Sequence, residues 1–182
     1  MHIKLISDKM KFKKTRYITI LLYLIMRCMN KPNFGKTLLN YLLYYTDFNY
    51  YEIYGRSITN ETYIKDKNHL IKSTHFNQTI KELTHHNIIQ TKQKLYYKRP
   101  INKYYLTKFP NLEISYLEYH IIEDIIKKFQ NQNATTIAKH TQKDIPYQIA
   151  NVGDKIEYIN TMYRDETSIK YLMYDFFNYV NF

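Results

Sequence analysis

Apolar residues recur at three- and four-residue steps through Leu38, Leu39, Leu42, Leu43, Tyr45, Phe48 and Tyr51. That is the spacing of one buried helix face. It predicts a helix from about Lys36 to Tyr54, closed by Gly55 in the left-handed position that commonly ends a helix. Upstream, Tyr17 to Met29 is apolar nearly all round, as a largely buried first helix requires. Asn30 to Gly35, with Pro32 inside it, reads as the loop between them. After Gly55 the period shortens. Ser57 to Lys65 holds Ile58, Thr62, Tyr63 and Ile64 and predicts a short strand.

Further along, Ile80, Leu83, Ile88 and Ile89 mark the inward side of a third helix over Phe76 to Ile89. Then Lys94-Leu95-Tyr96-Tyr97 and Lys103-Tyr104-Tyr105-Leu106-Thr107 flank Lys98-Arg99-Pro100-Ile101-Asn102. Two β-rich arms around a Pro- and Asn-containing turn predict a hairpin. Ile114, Leu117, Ile121, Ile122, Ile125 and Phe129 describe an amphipathic helix, broken at Asn131-Gln132-Asn133. Shorter helices are expected at Thr135 to His140 and Tyr147 to Asn151. The spacing of Ile169, Leu172, Met173, Phe176, Phe177 and Val180 predicts a terminal amphipathic helix. The fold class is therefore mainly α: a compact single domain of about six helices with a small β-hairpin. A helix followed by a hairpin makes that part a winged-helix-like element. The expected organisation is a basic leader over 1–16, a domain over 17–166, and a C-terminal amphipathic helix over 167–182 packed on it.

Composition changes this picture in two ways. The 182 residues suffice for one real core, and 45% apolar with 16% aromatic excludes a disordered chain. The net charge of +11 is unevenly placed. Residues 1–109 carry 20 basic and six acidic side chains, residues 110–182 seven and ten. The first part could face nucleic acid or an acidic protein. Lys, Asn, Ile, Tyr and Phe are all abundant, however, and an AT-rich coding sequence supplies that excess without selection for a polyanion. A single cysteine, Cys28, excludes an internal disulfide and fits a reducing cytoplasm; in its apolar run it reads as a small core hydrophobe. Basic residues before the Tyr17–Met26 run imitate a secretion signal. Arg27 ends that run too soon to span a bilayer and occupies the place where processing needs a small residue. A core helix is the better reading, and no membrane partner is expected.

Catalytic patterns are not seen. Gly35, Gly55 and Gly153 are too scattered for a phosphate-cradling loop, and no Cys pair or His-x-x-x-His metal helix occurs. His85 and His86 are adjacent, so on a helix they point to different faces. An enzyme, a cofactor and a metal are therefore not expected. His140, near Asp144, Pro146 and Tyr147, reads either as a recognition residue or as a polar residue near a helix end, with Pro146 opening the next helix.

Two separated segments resemble one family in the same order. The first is Leu42-Leu43-Tyr44-Tyr45-Thr46-Asp47 with Tyr54-Gly55-Arg56-Ser57-Ile58 and Glu61-Thr62-Tyr63-Ile64-Lys65. The second runs from His140 through Asp144-Ile145-Pro146-Tyr147 to Ile156-Glu157-Tyr158 and Tyr163-Arg164-Asp165-Glu166. Together they resemble the Panacea (SocA-type) antitoxin domain over roughly Tyr17 to Glu166. One departure stands out: where family members have a Gly-Pro-Val turn, this chain reads His69-Leu70-Ile71.

The resemblance implies an antitoxin that binds a protein toxin encoded nearby, without chemistry of its own. Some relatives act as adaptors to a Clp-type protease. Candidate partner contacts are Tyr44, Asp47, Tyr54, Arg56, Glu61 and His140, since exposed tyrosines make good interface anchors; Tyr44 reads equally well as packed in the core. The competing class is a DNA-binding regulator of operator DNA. There the Phe76–Ile89 helix enters the major groove and Lys81, Lys98, Arg99 and Lys103 hold the nucleic acid. A membrane-surface protein using the basic leader is a third class.

Overall fold

A computed structural model describes residues 11–165. The expected terminal helix over 167–182 lies outside the described residues. Within them are six α-helices, a 3-10 helix and two antiparallel hairpins. The mainly α reading with a small β component therefore holds.

Helix α1 spans Lys14–Cys28 and α2 spans Lys36–Tyr54. The apolar spacing predicted one buried face for α2, but the burial goes all round and takes in the polar Asn40, Thr46 and Asp47. From Leu38 to Phe48 every residue of α2 is buried, so this helix is a central rod rather than an amphipathic cover. Helices α1, α4 (Tyr116–Phe129) and α5 (Ala134–Thr141) pack around it, with the 3-10 helix (Tyr158–Tyr163) and parts of both hairpins. Gly55 ends α2 at φ 64, its amide donating to the Tyr51 carbonyl, as its lack of a Cβ allows. Helix α4 starts where Ser115 and Glu118 form a reciprocal capping box. Asn133 caps α5 through the Thr136 amide. Pro146 sits in the first turn of α6 (Ile145–Ile149), where its missing N–H costs nothing.

Several boundaries differ from the sequence expectation. Helix α1 begins at Lys14, so Lys14 to Arg16 are helical rather than part of a free leader. The Arg16 guanidinium reaches Glu118 at 2.6 Å, and the Lys13 amide donates to the Thr59 carbonyl at 2.8 Å. The expected Ser57–Lys65 strand shrinks to β1, Tyr63–Lys65, because Ser57 and Thr59 spend their side chains and the Thr59 amide on a buried carboxylate. β1 pairs with β2 (Ile71–Ser73), which the sequence reading missed.

Helix α3 covers Phe76–His85 and stops short of Ile89. Asn87 turns left-handed at φ 51 and Ile89 becomes the first residue of β3 (Ile89–Tyr96). The larger hairpin, β3 with β4 (Arg99–Leu106), is longer than expected. Its turn is the pair Tyr97-Lys98, not Lys98 to Asn102; Tyr96 faces Arg99. Both turn residues have positive φ, as the favoured two-residue hairpin requires, although Asn-Gly is the usual choice. The backbone of β4 also passes over Gly35, where a Cβ would meet the Asn102 carbonyl at 3.3 Å.

The helix-then-hairpin order of α3, β3 and β4 is present, but the element immediately before α3 is strand β2 rather than a helix. At the β1–β2 turn, His69 takes φ 57 at the place where the resembled family has glycine. Asp66 holds this turn by accepting from the Asn68 and Leu70 amides. A left-handed conformation strains a side-chain-bearing residue by about 1–2 kcal/mol. His69→Gly, after the larger chain entropy of glycine is discounted, is expected to raise stability by about 0.5–1 kcal/mol, measurable as a higher urea midpoint at unchanged slope.

Candidate functional site

Asp47 faces the chain that returns after Gly55, and it is 1% exposed. Its carboxylate accepts from the Ser57 hydroxyl at 2.8 Å, the Thr59 amide at 2.9 Å and the Tyr63 hydroxyl at 2.8 Å. The Thr59 hydroxyl donates to it as well, and the Tyr158 hydroxyl approaches to 3.5 Å. Burial pushes the Asp47 carboxyl above its ordinary value, while the Thr59, Ser57 and Tyr63 donors pull it back. Such a cluster can pin a turn. It leaves no open position for a substrate.

Glu61 does the same one step along. It accepts from the Thr74 amide and hydroxyl at 2.7 and 2.8 Å and from the His75 amide at 3.1 Å. His75 Nδ1 lies 2.8 Å from its other oxygen. Phe12 stacks on the His75 ring at 3.8 Å, and the Glu61 carbonyl accepts from the Tyr158 hydroxyl at 2.6 Å.

A third cluster joins the two ends of the resemblance. Arg164 grips Asp144 with two parallel bonds of 2.7 and 2.8 Å, the geometry a planar guanidinium favours. Its remaining nitrogen reaches Glu52 at 2.5 Å and Asn49 at 3.0 Å. The Tyr44 hydroxyl donates to Asp144 at 2.6 Å. Arg164, Asp144 and Glu52 are each at least nine-tenths enclosed. Burial opposes the charge on Arg164, but Asp144, Tyr44 and Glu52 outweigh it and raise its pKa. Burial, with Asp144 beside it, likewise raises Tyr44.

The structure thus sorts the candidates. Tyr44 is wholly buried, so of its two readings the core one holds and the exposed anchor does not: its ring packs on Phe48 and Tyr63 and its hydroxyl is spent on Asp144. Asp47 and Glu61 are equally internal. Arg56 is exposed and Tyr54 half-buried beside Tyr50. His140 is also exposed, its ring 5.4 Å from Phe129 and 6.1 Å from Tyr45. Partial burial, then Lys128, lowers its pKa. Tyr45 and Tyr54 stand roughly 14 Å apart along α2 at the ordinary helical rise, so His140 and the Tyr54–Arg56 end do not converge.

Among the nucleic-acid candidates, Lys81, Lys98 and Arg99 are exposed. Lys103 is buried and its ammonium donates to the Lys31 carbonyl at 2.8 Å, which removes it as a phosphate contact. Glu52 and Asn49 were not foreseen. Asp144 and Arg164 stood in the resembling segments without an assigned role. Among the described residues no group of three or more His, Cys, Asp or Glu is placed to hold a metal. None of the described helices is long and apolar enough to cross a membrane.

The geometry defines a helical framework domain, built round one buried rod, whose charged and hydroxyl side chains hold loops to that rod. The family model for the SocA-like antitoxin, Panacea domain, matches residues 39–146, and the chain belongs to that family. No curated protein and no solved structure gives a match. The match starts in α2 and stops two residues beyond Asp144, so it contains Tyr44, Asp47, Glu52, Glu61 and Asp144.

Arg164→Ala would leave Asp144 and Glu52 buried without a counter-charge. Breaking a buried pair in this way costs about 3–5 kcal/mol. Urea unfolding at neutral pH should show a loss of that size, and adding Glu52→Gln to the same chain should restore part of it.

Proposed function

We propose that this protein is an antitoxin that neutralises a protein toxin by direct binding. The observation that carries the reading is the Panacea-domain match, which takes in the central helix and most of its polar network. The inward use of Tyr44, Asp47 and Glu61 supports it in a particular way. These side chains keep the framework rigid, and contact with a partner falls to exposed residues. A rigid frame lowers the ordering cost of binding. On this reading the chain performs no catalysis, acts in the cytoplasm and meets a toxin from a neighbouring gene. Delivery of the bound toxin to a Clp-type protease is an extension of the same role. The expected outcome is that the adjacent gene expressed alone stops growth, and that co-expression of this chain restores it; colony counts under separate inducers decide. No rescue, or no toxicity, overturns the proposal.

A second reading is favoured by one feature of the larger hairpin. Lys92, Lys94, Lys98 and Arg99 are exposed, with Tyr97 at the tip, and the hairpin has no acidic residue. A basic two-stranded ribbon suits a nucleic-acid groove, so the chain would also repress its own promoter. Lys98→Ala with Arg99→Ala should weaken promoter binding and lower the dependence of log affinity on log salt by about two phosphate contacts. Fluorescence anisotropy across a salt series measures it.

A further inference from the structure

A 3-10 helix turns once every three residues, so side chains three apart lie above one another. In Tyr158–Tyr163 this gives two unlike sides. Tyr158 and Thr161 are buried against the domain, whereas Ile159 and Met162 point outward, 54% and 65% exposed, with Tyr163 at 60%. Helix α6 packs directly against the 3-10 helix. It adds Ile149 at its last position and Val152 just beyond, both about half exposed. Large apolar side chains gathered on adjoining elements mark an interaction surface more often than isolated ones do.

The charge of this edge is opposite to that of the chain. Asp154, Glu157 and Asp165 are exposed around it. Lys155 and Glu157 offset one another at 2.9 Å, and the part-buried Lys65 ammonium is turned onto the Ala150 carbonyl at 3.0 Å, so the exposed acidic charge of the edge rests on Asp154 and Asp165. Behind it, Glu52 gives one oxygen to Arg164, and its other oxygen has no hydrogen-bond partner among the described residues. A nucleic acid would be repelled here. A second copy, meeting the same patch by two-fold symmetry, would bring these carboxylates against their own kind.

We propose that the edge formed by α6 and the 3-10 helix is the surface that takes the protein partner, and that the partner presents an apolar anchor ringed by arginine or lysine. An apolar centre, here Ile149, Val152, Ile159, Met162 and Tyr163, with a polar rim is the usual anatomy of such a contact, and opposite charges would speed encounter. The assignment rests on the antitoxin reading above and names the face and the partner chemistry that reading leaves open.

The test uses the full chain and the purified product of the adjacent gene, followed by biolayer interferometry. Ile159→Asp with Met162→Asp, both at exposed positions, should weaken binding roughly 100-fold, as loss of a central anchor does. Asp154→Lys with Glu157→Lys should slow association about tenfold at low salt. The Lys98→Ala, Arg99→Ala chain should bind as the parent does. Unchanged affinity in both edge variants overturns the assignment. If the Asp pair leaves binding intact but lowers the melting temperature, the face is covered within the chain itself and the proposal fails. Self-association of the parent that the Asp pair abolishes assigns the face to a second copy, and also overturns it. No binding by the parent chain overturns the antitoxin reading, and this assignment falls with it.

Discussion

Everything else in this domain is arranged around a carboxylate that has been taken out of water. Asp47 lies in the middle of a helix whose neighbours from Leu38 to Phe48 are all buried. Moving an ionised group to such a place costs several kcal/mol unless donors replace its hydration. The donors come from Ser57, Thr59 and Tyr63. All three follow within sixteen residues of Asp47, so the polar demand of one side chain dictates the path of the chain after Gly55. That path is why the segment from Ser57 to Thr62 is irregular despite its β-rich composition. It also carries Glu61 into the interior, where its own demand for donors fixes Thr74 and His75 at the entrance to α3.

The second internal charge system closes the fold over long range. Arg164 follows the 3-10 helix, Asp144 precedes α6, and Glu52 stands near the end of α2. One guanidinium therefore ties three elements, while Tyr44 adds its hydroxyl from the middle of the rod. Such a group of charges contributes less to net stability than a well-packed apolar cluster of the same volume. Its value is directional. The bidentate grip fixes how α6 and the 3-10 helix sit together, and their outer sides form the apolar, acid-rimmed edge. The edge is as well defined as the buried pair beneath it.

The helices were legible because their signals are local. The limits of α2 at Lys36 and Tyr54 follow from apolar period and one glycine, and Gly55 does adopt the left-handed conformation. What could not be read locally was misjudged. Asn87 interrupts α3 by a left-handed turn that Asn allows but does not announce. Tyr97-Lys98 forms a tight turn without the Asn-Gly signature, while Pro100 and Asn102, residue types usual in turns, lie within β4. Strand β2 is three residues long and is defined by its pairing with β1, which no periodicity reveals. The candidate site suffered most. Tyr44 looks the same as a surface tyrosine in a sequence, and only its contacts with Phe48, Tyr63 and Asp144 place it inside. Glu52 had no signal at all, since its partner is 112 positions away.

The surface charge of this domain differs from the charge of its sequence. The stretch from Lys92 to Lys108 holds six basic residues and no acidic one, which on its face suggests a polyanion partner. One of the six, Lys103, donates to a backbone carbonyl in the interior, so the surface charge is smaller than the sequence charge. The opposite correction applies to the acidic residues. Asp47, Glu61, Asp144 and Glu52 are all consumed internally, and the exposed carboxylates of residues 144–165 are Asp154, Glu157 and Asp165. A drift toward lysine-rich codons would raise the positive count everywhere, including at the edge beside the 3-10 helix. Lys155 is the one exposed basic residue from 144 to 165, and its pairing with Glu157 leaves Asp154 and Asp165 as the acidic excess of the edge. An acidic, apolar edge on a chain whose composition pushes the other way is therefore harder to attribute to drift than the basic hairpin is.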